Sequence, residues 1–235
     1  MKRCFSFSFS FVLLATVVAG CQSGNNERLT QWILSGFQRS PEAIVADAID
    51  PADPDRQREA IASLSSHSWG LEEPYLKAYS LLAGEADPGV RVAAINALGR
   101  AEAEQAKKYA PQVLKGLDDP VPAVRIEAAG ALGKMNVDAA AEPLSGRARR
   151  DTDPAVRVAS VRALTGYRTR PVLNVLLRCL DDPEFSVRFA ARGALNEMTG
   201  LDAGCEVNDW NRRLAERPDP FQRPACEAGS SWWPF

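Results

Sequence analysis

The sequence repeats the stretch Asp87-Pro88-Gly89-Val90-Arg91-Val92-Ala93-Ala94-Ile95-Asn96-Ala97-Leu98 in four copies. The Val-Arg pair of the copies recurs at intervals of 34, 32 and 31 residues, as Val90-Arg91, Val124-Arg125, Val156-Arg157 and Val187-Arg188. A weaker copy at residues 53–64 carries Arg56-Gln57 instead of this pair. Self-similarity at such a period predicts a solenoid of stacked helical hairpins.

Each copy has the features of a capped α-helix. Proline is favoured in the first helical turn, and an aspartate before it can accept hydrogen bonds from the free N–H groups. In the first copy Val90, Ala94 and Leu98 share one helical face. A second apolar helical segment precedes each Asp-Pro, at residues 75–82, 109–117, 139–148 and 171–180. We therefore predict an all-α fold, an α-solenoid of about five stacked helical hairpins with terminal capping helices.

The string D-P-x-V-R-x-x-A-x-x-A-L-G resembles the HEAT-like repeat, in the short form first named from phycobilisome lyases. The resemblance covers roughly residues 53–200, and it implies the fold rather than a function. It also implies that the repeated arginine pairs with the turn aspartate of an adjacent repeat. The expected members of this structural Asp–Arg ladder are Asp87, Arg91, Asp119, Arg125, Asp153, Arg157, Asp182 and Arg188.

The first twenty residues have the pattern of an export signal. Lys2 and Arg3 precede an apolar run that is too short for a stable transmembrane helix. The run ends in Val18-Ala19-Gly20-Cys21, which resembles the lipoprotein cleavage box of bacteria. That resemblance implies lipidation of Cys21 and a periplasm-facing protein in the bacterial cell envelope, with the outer membrane favoured over the inner because Gln22 follows. The alternative is an ordinary cleavable signal in which Cys21 is incidental.

Composition argues against several function classes. The formal net charge is −2 and no basic stripe is present, so nucleic-acid binding has no electrostatic support. His67 is the only histidine, and it stands in a serine-rich loop without neighbouring ligands. We therefore predict no catalytic residues, no metal site and no cofactor.

The remaining cysteines differ in their surroundings. Cys179 lies among leucines of a predicted helix, and we expect it to be buried. Cys205 and Cys226 flank the last predicted helix, and in an oxidising compartment they would form a disulfide. Three free thiols are the alternative.

The predicted segments are a signal peptide at 1–20, a lipid tether and N-terminal cap at 21–40, the repeat solenoid at 41–200, a C-terminal capping helix at 201–216 and a flexible tail at 217–235. We expect Trp210 to cover the end of the last repeat. The tail ends in Trp232-Trp233-Pro234-Phe235 and either docks back on the last repeat or inserts into a partner or a membrane.

A candidate binding face lies on the second helix of each hairpin, opposite the buried valine. In a solenoid the second helices line the concave side, and these residues would form a shallow groove for a partner helix or an extended segment. The face consists of Val92, Asn96, Ile126, Val158, Arg162 and Phe189, with Gly130 and Gly193 beside them. The alternative is that this row packs within the stack.

These patterns predict a non-enzymatic, monomeric, lipid-anchored scaffold that binds an unidentified envelope protein. The alternatives are an accessory or lyase-like protein that binds a small ligand, and a purely structural spacer of the envelope. An export signal disfavours the lyase reading, because phycobilin lyases act on cytoplasmic pigment proteins.

Overall fold

The computed structural model describes residues 41–222. The chain divides into two compact units, residues 1–44 and 45–235, and only residues 41–44 of the first belong to the described part. The predicted signal peptide, Cys21, the N-terminal cap, Cys226 and the aromatic end of the tail lie outside the described residues.

The described residues form eleven α-helices and no β-strand. The helices are α1 (Pro41–Ile49), α2 (Pro54–Ser65), α3 (Glu73–Leu82), α4 (Pro88–Leu98), α5 (Ala103–Lys115), α6 (Pro122–Met135), α7 (Ala141–Arg150), α8 (Pro154–Ala163), α9 (Arg170–Cys179), α10 (Phe185–Thr199) and α11 (Val207–Ala215). The even-numbered helices from α2 to α10 carry the repeated stretch and are the second helices of the hairpins. The predicted all-α solenoid is confirmed.

Three aspartates cap their helices as expected. The side chains of Asp53, Asp87 and Asp153 accept hydrogen bonds from backbone N–H groups in the first turns of α2, α4 and α8, at 3.1, 2.9 and 2.8 Å. Asp119 and Asp182 do not cap, because two extra residues separate them from α6 and α10, whose N-caps are Val121 and Glu184.

The repeated valine forms the centre of the core. Val90, Val124, Val156 and Val187 are all fully buried, as are the leucines that follow each of them eight residues later. The second helices of successive hairpins pack against one another more extensively than the first helices do. The second helices therefore form a continuous layer between α2 and α10.

Two glycines allow these helices to approach closely. A Cβ atom on Gly99 would lie 2.6 Å from the Cβ of Ala131, and one on Gly133 would lie 2.9 Å from the Cα of Ala163. Glycine often ends a helix, as Gly99 does after α4. Gly133 instead lies inside α6, so close contact with the next repeat is the physical reason for its small size.

The C-terminal helix closes the last repeat. Trp210 of α11 is fully buried, and its indole N–H donates to the carbonyl of Gly204 at 2.9 Å. α11 contacts α9, the first helix of the last hairpin. None of the helices within residues 41–222 has the length and apolar character needed to cross a bilayer.

Candidate binding surface

The six residues predicted to form a binding face all lie on the exposed side of the second-helix layer. We call this set, namely Val92, Asn96, Ile126, Val158, Arg162 and Phe189, the second-helix surface. Val92, Ile126 and Val158 are half-buried, so they contact their neighbours and still present apolar area to solvent. Phe189 is 62% exposed and does not pack within the stack.

Three shallow depressions run along this surface. The first has a volume of about 520 Å³ and is lined by Val92 and Asn96, the second measures about 530 Å³, and the third about 610 Å³. Asn96 lines both the first and the second, while Ile126 and Arg162 line both the second and the third. Shared walls make the three depressions one continuous groove across α4, α6 and α8.

Polar groups stand at defined points of the groove. Asn96 lines the groove and donates from its amide nitrogen to the carboxylate of Glu127 at 2.7 Å, which ties α4 to α6. Its amide oxygen accepts from no donor among the described residues. Arg162 is exposed, and it forms no ion pair within residues 41–222. The groove therefore offers an acceptor and a cation above an apolar floor.

Small residues keep the groove open. A Cβ atom on Gly130 or on Gly193 would meet no other atom within 4 Å. Gly130 lines the second depression, where a larger side chain would fill the space that a ligand needs. Glu127 and the openness at Gly130 are features that the repeat pattern alone does not reveal.

A further depression of about 520 Å³ lies on the opposite side, between the first helices α5 and α7. Charged side chains surround much of it, including Lys115, Asp118, Arg147 and Arg150. It shares no lining residue with the groove, and the ion pair between Arg147 and Asp118 crosses it. The longer continuous surface is therefore on the second helices.

The repeated arginines lie at the turns and bind neighbouring hairpins together. The guanidinium of Arg91 donates two hydrogen bonds to Asp119, at 2.8 and 2.9 Å, and Arg157 donates two to Asp182, both at 2.9 Å. In both arginines the remaining nitrogen, Nη1, donates to backbone carbonyls of the turn that precedes the arginine's own helix. Each of these pairs is almost fully buried.

Three expected members of the ladder form no ladder pair within residues 41–222, namely Asp87, Asp153 and Arg188, whose guanidinium donates only to backbone carbonyls. Arg125 pairs with Asp151 and not with Asp153, because Asp153 is used as the N-cap of α8. Asp87 receives no repeated arginine, because it is the N-cap of α4, as Asp153 is of α8, and because Gln57 occupies the arginine position of the preceding hairpin. The ion pair of Asp87 is with Arg58, at 3.7 Å. The pairing aspartates share one sequence signal, a position six residues before the next repeated arginine.

The hydrogen bonds of the ladder favour the ionised forms of its aspartates and arginines. Burial raises the pKa of the Asp119 carboxyl, but hydrogen bonds from Arg91 and from the Val121 N–H outweigh it and leave the pKa lowered from 3.8. The same balance lowers the pKa of Asp151, through Arg125 and the Asp153 N–H. Hydrogen bonding to Asp151 raises the pKa of Arg125. These are structural ion pairs, and none of them faces the groove.

The histidine and the cysteines of the described residues lie in different parts of the fold and do not form a common site. His67 is exposed, its ring lies against Trp69 at 5.1 Å, and its Nδ1 lies 3.0 Å from the carbonyl of Ser63. Cys179 is buried and donates to the carbonyl of Ala148 at 3.7 Å. Cys205 is exposed and forms no disulfide within residues 41–222; Cys226 lies outside the described residues, so their disulfide stays a prediction. Residues 41–222 contain no group of His, Cys, Asp and Glu side chains that could hold a metal ion.

Comparison with protein families gives a match to HEAT repeats over residues 76–157 and 141–207. The two segments together span more than half of the sequence. The chain belongs to the HEAT-repeat family. No curated protein matches this HEAT-repeat chain.

Several solved structures share the fold. The complex of CpcE and CpcF of phycocyanin lyase from Nostoc sp. PCC7120 is similar at a TM-score of 0.57 and 21% identity, covering 77% of this chain and 72% of that chain. A designed armadillo repeat protein is similar at 0.53 and 20% identity, covering 76% and 87%. Another, in complex with a (KR)4 peptide, is similar at 0.54 and 20% identity, with the same coverage. At such identities the likeness concerns the fold of the HEAT-repeat chain.

Proposed function

We propose that this HEAT-repeat protein is a lipid-anchored scaffold of the bacterial cell envelope that binds another envelope protein through the second-helix surface. The observation that carries the proposal is the continuous groove, which Val92, Ile126 and Val158 line with apolar side chains; Phe189 is exposed on the next second helix, α10. Exposed apolar area that is arranged in one row, rather than scattered, is typical of a surface that a partner covers.

The spacing of the row suits a polypeptide partner. Helices that pack side by side lie about 8–10 Å apart, so the apolar positions on successive second helices are separated by about that distance. An extended chain covers it in about three residues at ~3.3 Å each. An α-helix covers it in about seven residues at ~1.5 Å each. Residues i and i+7 of an α-helix share one face, so a helical segment would place apolar side chains on Val92, Ile126 and Val158 in register. Every third side chain of a β-strand points to the alternate face, so an extended segment fits the row less well.

Charge narrows the chemistry of the partner. Arg162 is exposed in the groove, and Lys134 lines the second depression; neither forms an ion pair within residues 41–222. Arg58 lines the first depression but pairs with Asp55 and Asp87. Asp153, in the third depression, caps α8. The acidic Glu127 is already bonded to Asn96. The designed relative in complex with a (KR)4 peptide binds a cationic ligand, whereas this surface favours a neutral or acidic segment with apolar side chains.

Site-specific photo-crosslinking in cells tests the binding. A probe at Val158 should yield a discrete protein adduct, and a control probe at Asn174, which is exposed on the first helix α9, should not. Adducts from neither site, or equally from both, would contradict the groove and favour the spacer or the small-ligand function.

Two groove variants separate binding from folding. Phe189→Asp should abolish the adduct without lowering the melting temperature, because Phe189 is 62% exposed. Gly130→Leu should also block it, since a side chain there enters the second depression without meeting protein atoms near its Cβ. A variant that loses stability together with binding would not support the proposal.

The anchoring is tested separately. Cys21→Ser should prevent incorporation of radiolabelled palmitate and release the protein from the membrane fraction, as expected if the acyl chains hold it there. Retention of the label in this variant would contradict lipidation at Cys21. Sucrose-gradient separation of the two membranes then tests the expected outer-membrane location.

A further inference from the structure

Arg188 differs from the three preceding repeated arginines in one respect. Its Nη1 donates to the carbonyls of Asp182 and Pro183, both at 2.8 Å, as Nη1 of Arg125 does to Asp119 and Pro120 in its own turn. In the other arginines the Nε–Nη2 edge then holds an aspartate of the next hairpin. In Arg188 this edge has no acceptor within residues 41–222.

An aromatic patch surrounds this open edge. Phe185 is 68% exposed and Phe189 is 62% exposed, and their rings stack at 6.0 Å. The guanidinium of Arg188 lies 5.8 Å from the ring of Phe185. We call Phe185, Arg188 and Phe189 the α10 patch. It combines a fixed donor pair for a carboxylate with apolar area for large side chains.

The chain itself contains a segment of matching chemistry. Residues 223–235 carry one acidic side chain, Glu227, and the aromatic run of Trp232, Trp233 and Phe235. The segment is therefore suited both to the open edge of Arg188 and to the exposed phenylalanines.

The start of this segment is held close to α10. Arg217 donates from one nitrogen to the carbonyls of Thr199 and Gln222, at 3.1 and 3.2 Å, which places Gln222 beside the C-terminal end of α10. Along that helix, Arg188 is about 16 Å away from Thr199 at ~1.5 Å per residue. Five extended residues from Gln222 to Glu227 span up to about 17 Å, and both side chains add to the reach.

We propose that residues 223–235 fold back along α10, with the Glu227 carboxylate bound by the Nε–Nη2 edge of Arg188 and the tryptophans covering Phe185 and Phe189. The contact repeats the ladder once more, with the tail supplying the carboxylate that a following hairpin would otherwise supply. The docking does not require the proposed partner protein, but it covers Phe189, so a docked tail and a bound partner would compete for this residue of the second-helix surface.

Intramolecular photo-crosslinking of the full-length, detergent-solubilised protein tests this docking. A benzophenone probe in place of Phe189 keeps an aromatic ring in the patch, and mass spectrometry identifies the peptide to which it bonds. We expect adducts with residues 223–235, in a yield independent of protein concentration. A control probe at Asn174 on α9 should give none.

Two charge variants decide whether Arg188 and Glu227 hold the tail. Arg188→Gln and Glu227→Gln should each reduce the yield of tail adducts by about fivefold or more at low salt, as expected when one charged partner of a pair is removed. The double variant should lose no more than either single one, since the two residues act together. Three results would overturn the proposal. The yield of tail adducts could be equal in all variants, the adducts could form only between molecules, or a lipid-phase probe could label the tail while the Phe189 probe does not.

Discussion

Arg125 donates two hydrogen bonds of 2.9 Å, from Nε and Nη2, to the carboxylate of Asp151 in the next hairpin. Only 1% of the Asp151 side chain is exposed, and Arg147 approaches its second oxygen at 3.4 Å. Burial opposes the charge of this carboxylate, but the hydrogen bonds from Arg125 and from the Asp153 N–H outweigh it and leave the pKa of Asp151 lowered. Removal of either partner therefore leaves an unpaired buried charge.

Substitution of this aspartate should be far more costly than substitution of its neighbour. We expect Asp151→Asn to lower the free energy of unfolding by about 3 kcal/mol, because the buried Arg125 loses its counter-charge. Asp153→Asn is the matched control and should change it by less than about 0.5 kcal/mol, since asparagine caps helices as well as aspartate does. Urea unfolding of both variants measures the difference. Equal effects would indicate that Asp153 takes part in the ladder.

The ladder should make the fold sensitive to acid. The pKa values of Asp119 and Asp151 are lowered from 3.8 in the folded protein, so the unfolded state binds protons at a higher pH. The stability that they contribute is complete above about pH 4 and is lost as the pH falls through the folded pKa values. Urea midpoints measured between pH 7 and pH 2.5 should show this fall. In Asp151→Asn the fall should be smaller, and an undiminished fall would assign the acid sensitivity to other groups.

Close packing at Gly99 predicts that glycine-to-alanine substitutions at two positions will have opposite effects on stability. Gly99→Ala should destabilise the protein by about 1–3 kcal/mol, because the new methyl group would lie 2.6 Å from the Cβ of Ala131. Gly130→Ala should instead be neutral or stabilise by up to about 1 kcal/mol, as alanine favours the helix and nothing lies within 4 Å. Thermal and urea unfolding compare the two. Similar losses in both would show that helix geometry, rather than the contact with Ala131, sets the cost.

The cysteines should differ sharply in reactivity. Burial raises the pKa of the Cys179 thiol to about 11, with a further contribution from Asp182, so it should resist alkylation at pH 7.5 until the protein unfolds. Cys205 is exposed and should react quickly after mild reduction. If the predicted bridge to Cys226 exists, the unreduced protein shows no fast thiol, and Cys226→Ser exposes one. A fast thiol at Cys205 before reduction would argue against the bridge.

Much of the fold follows from short-range rules that the repeated stretch satisfies by itself. The spacing of Val90, Ala94 and Leu98 and the position of Pro88 predict a helix with one apolar face, and the structure has this helix at Pro88–Leu98. A unit of this kind cannot bury its apolar face alone, so the repeat period predicts the stack. These rules predict the all-α solenoid, while the resemblance to the HEAT-like repeat rests on the string D-P-x-V-R-x-x-A-x-x-A-L-G itself.

Which aspartate pairs with which arginine between hairpins could be read only from the tertiary structure. Alignment on Asp-Pro places Asp153 among the expected ladder members. Two inserted residues in the neighbouring turns shift the helix starts, however, and the aspartate that reaches the Arg125 guanidinium is Asp151. A carboxylate pairs with the donor that lies nearest in space, and a shift of two residues along a turn changes which one that is.

The sequence by itself determined the helices, their buried faces and the order in which they stack, because these depend on the spacing of side chains along one chain. Tertiary structure alone decided that the depressions beside Asn96 and Arg162 join into one groove, that Gly99 touches Ala131, and that one edge of Arg188 has no acceptor in the described residues. These features depend on distances between separate helices, which are set by how closely the hairpins pack.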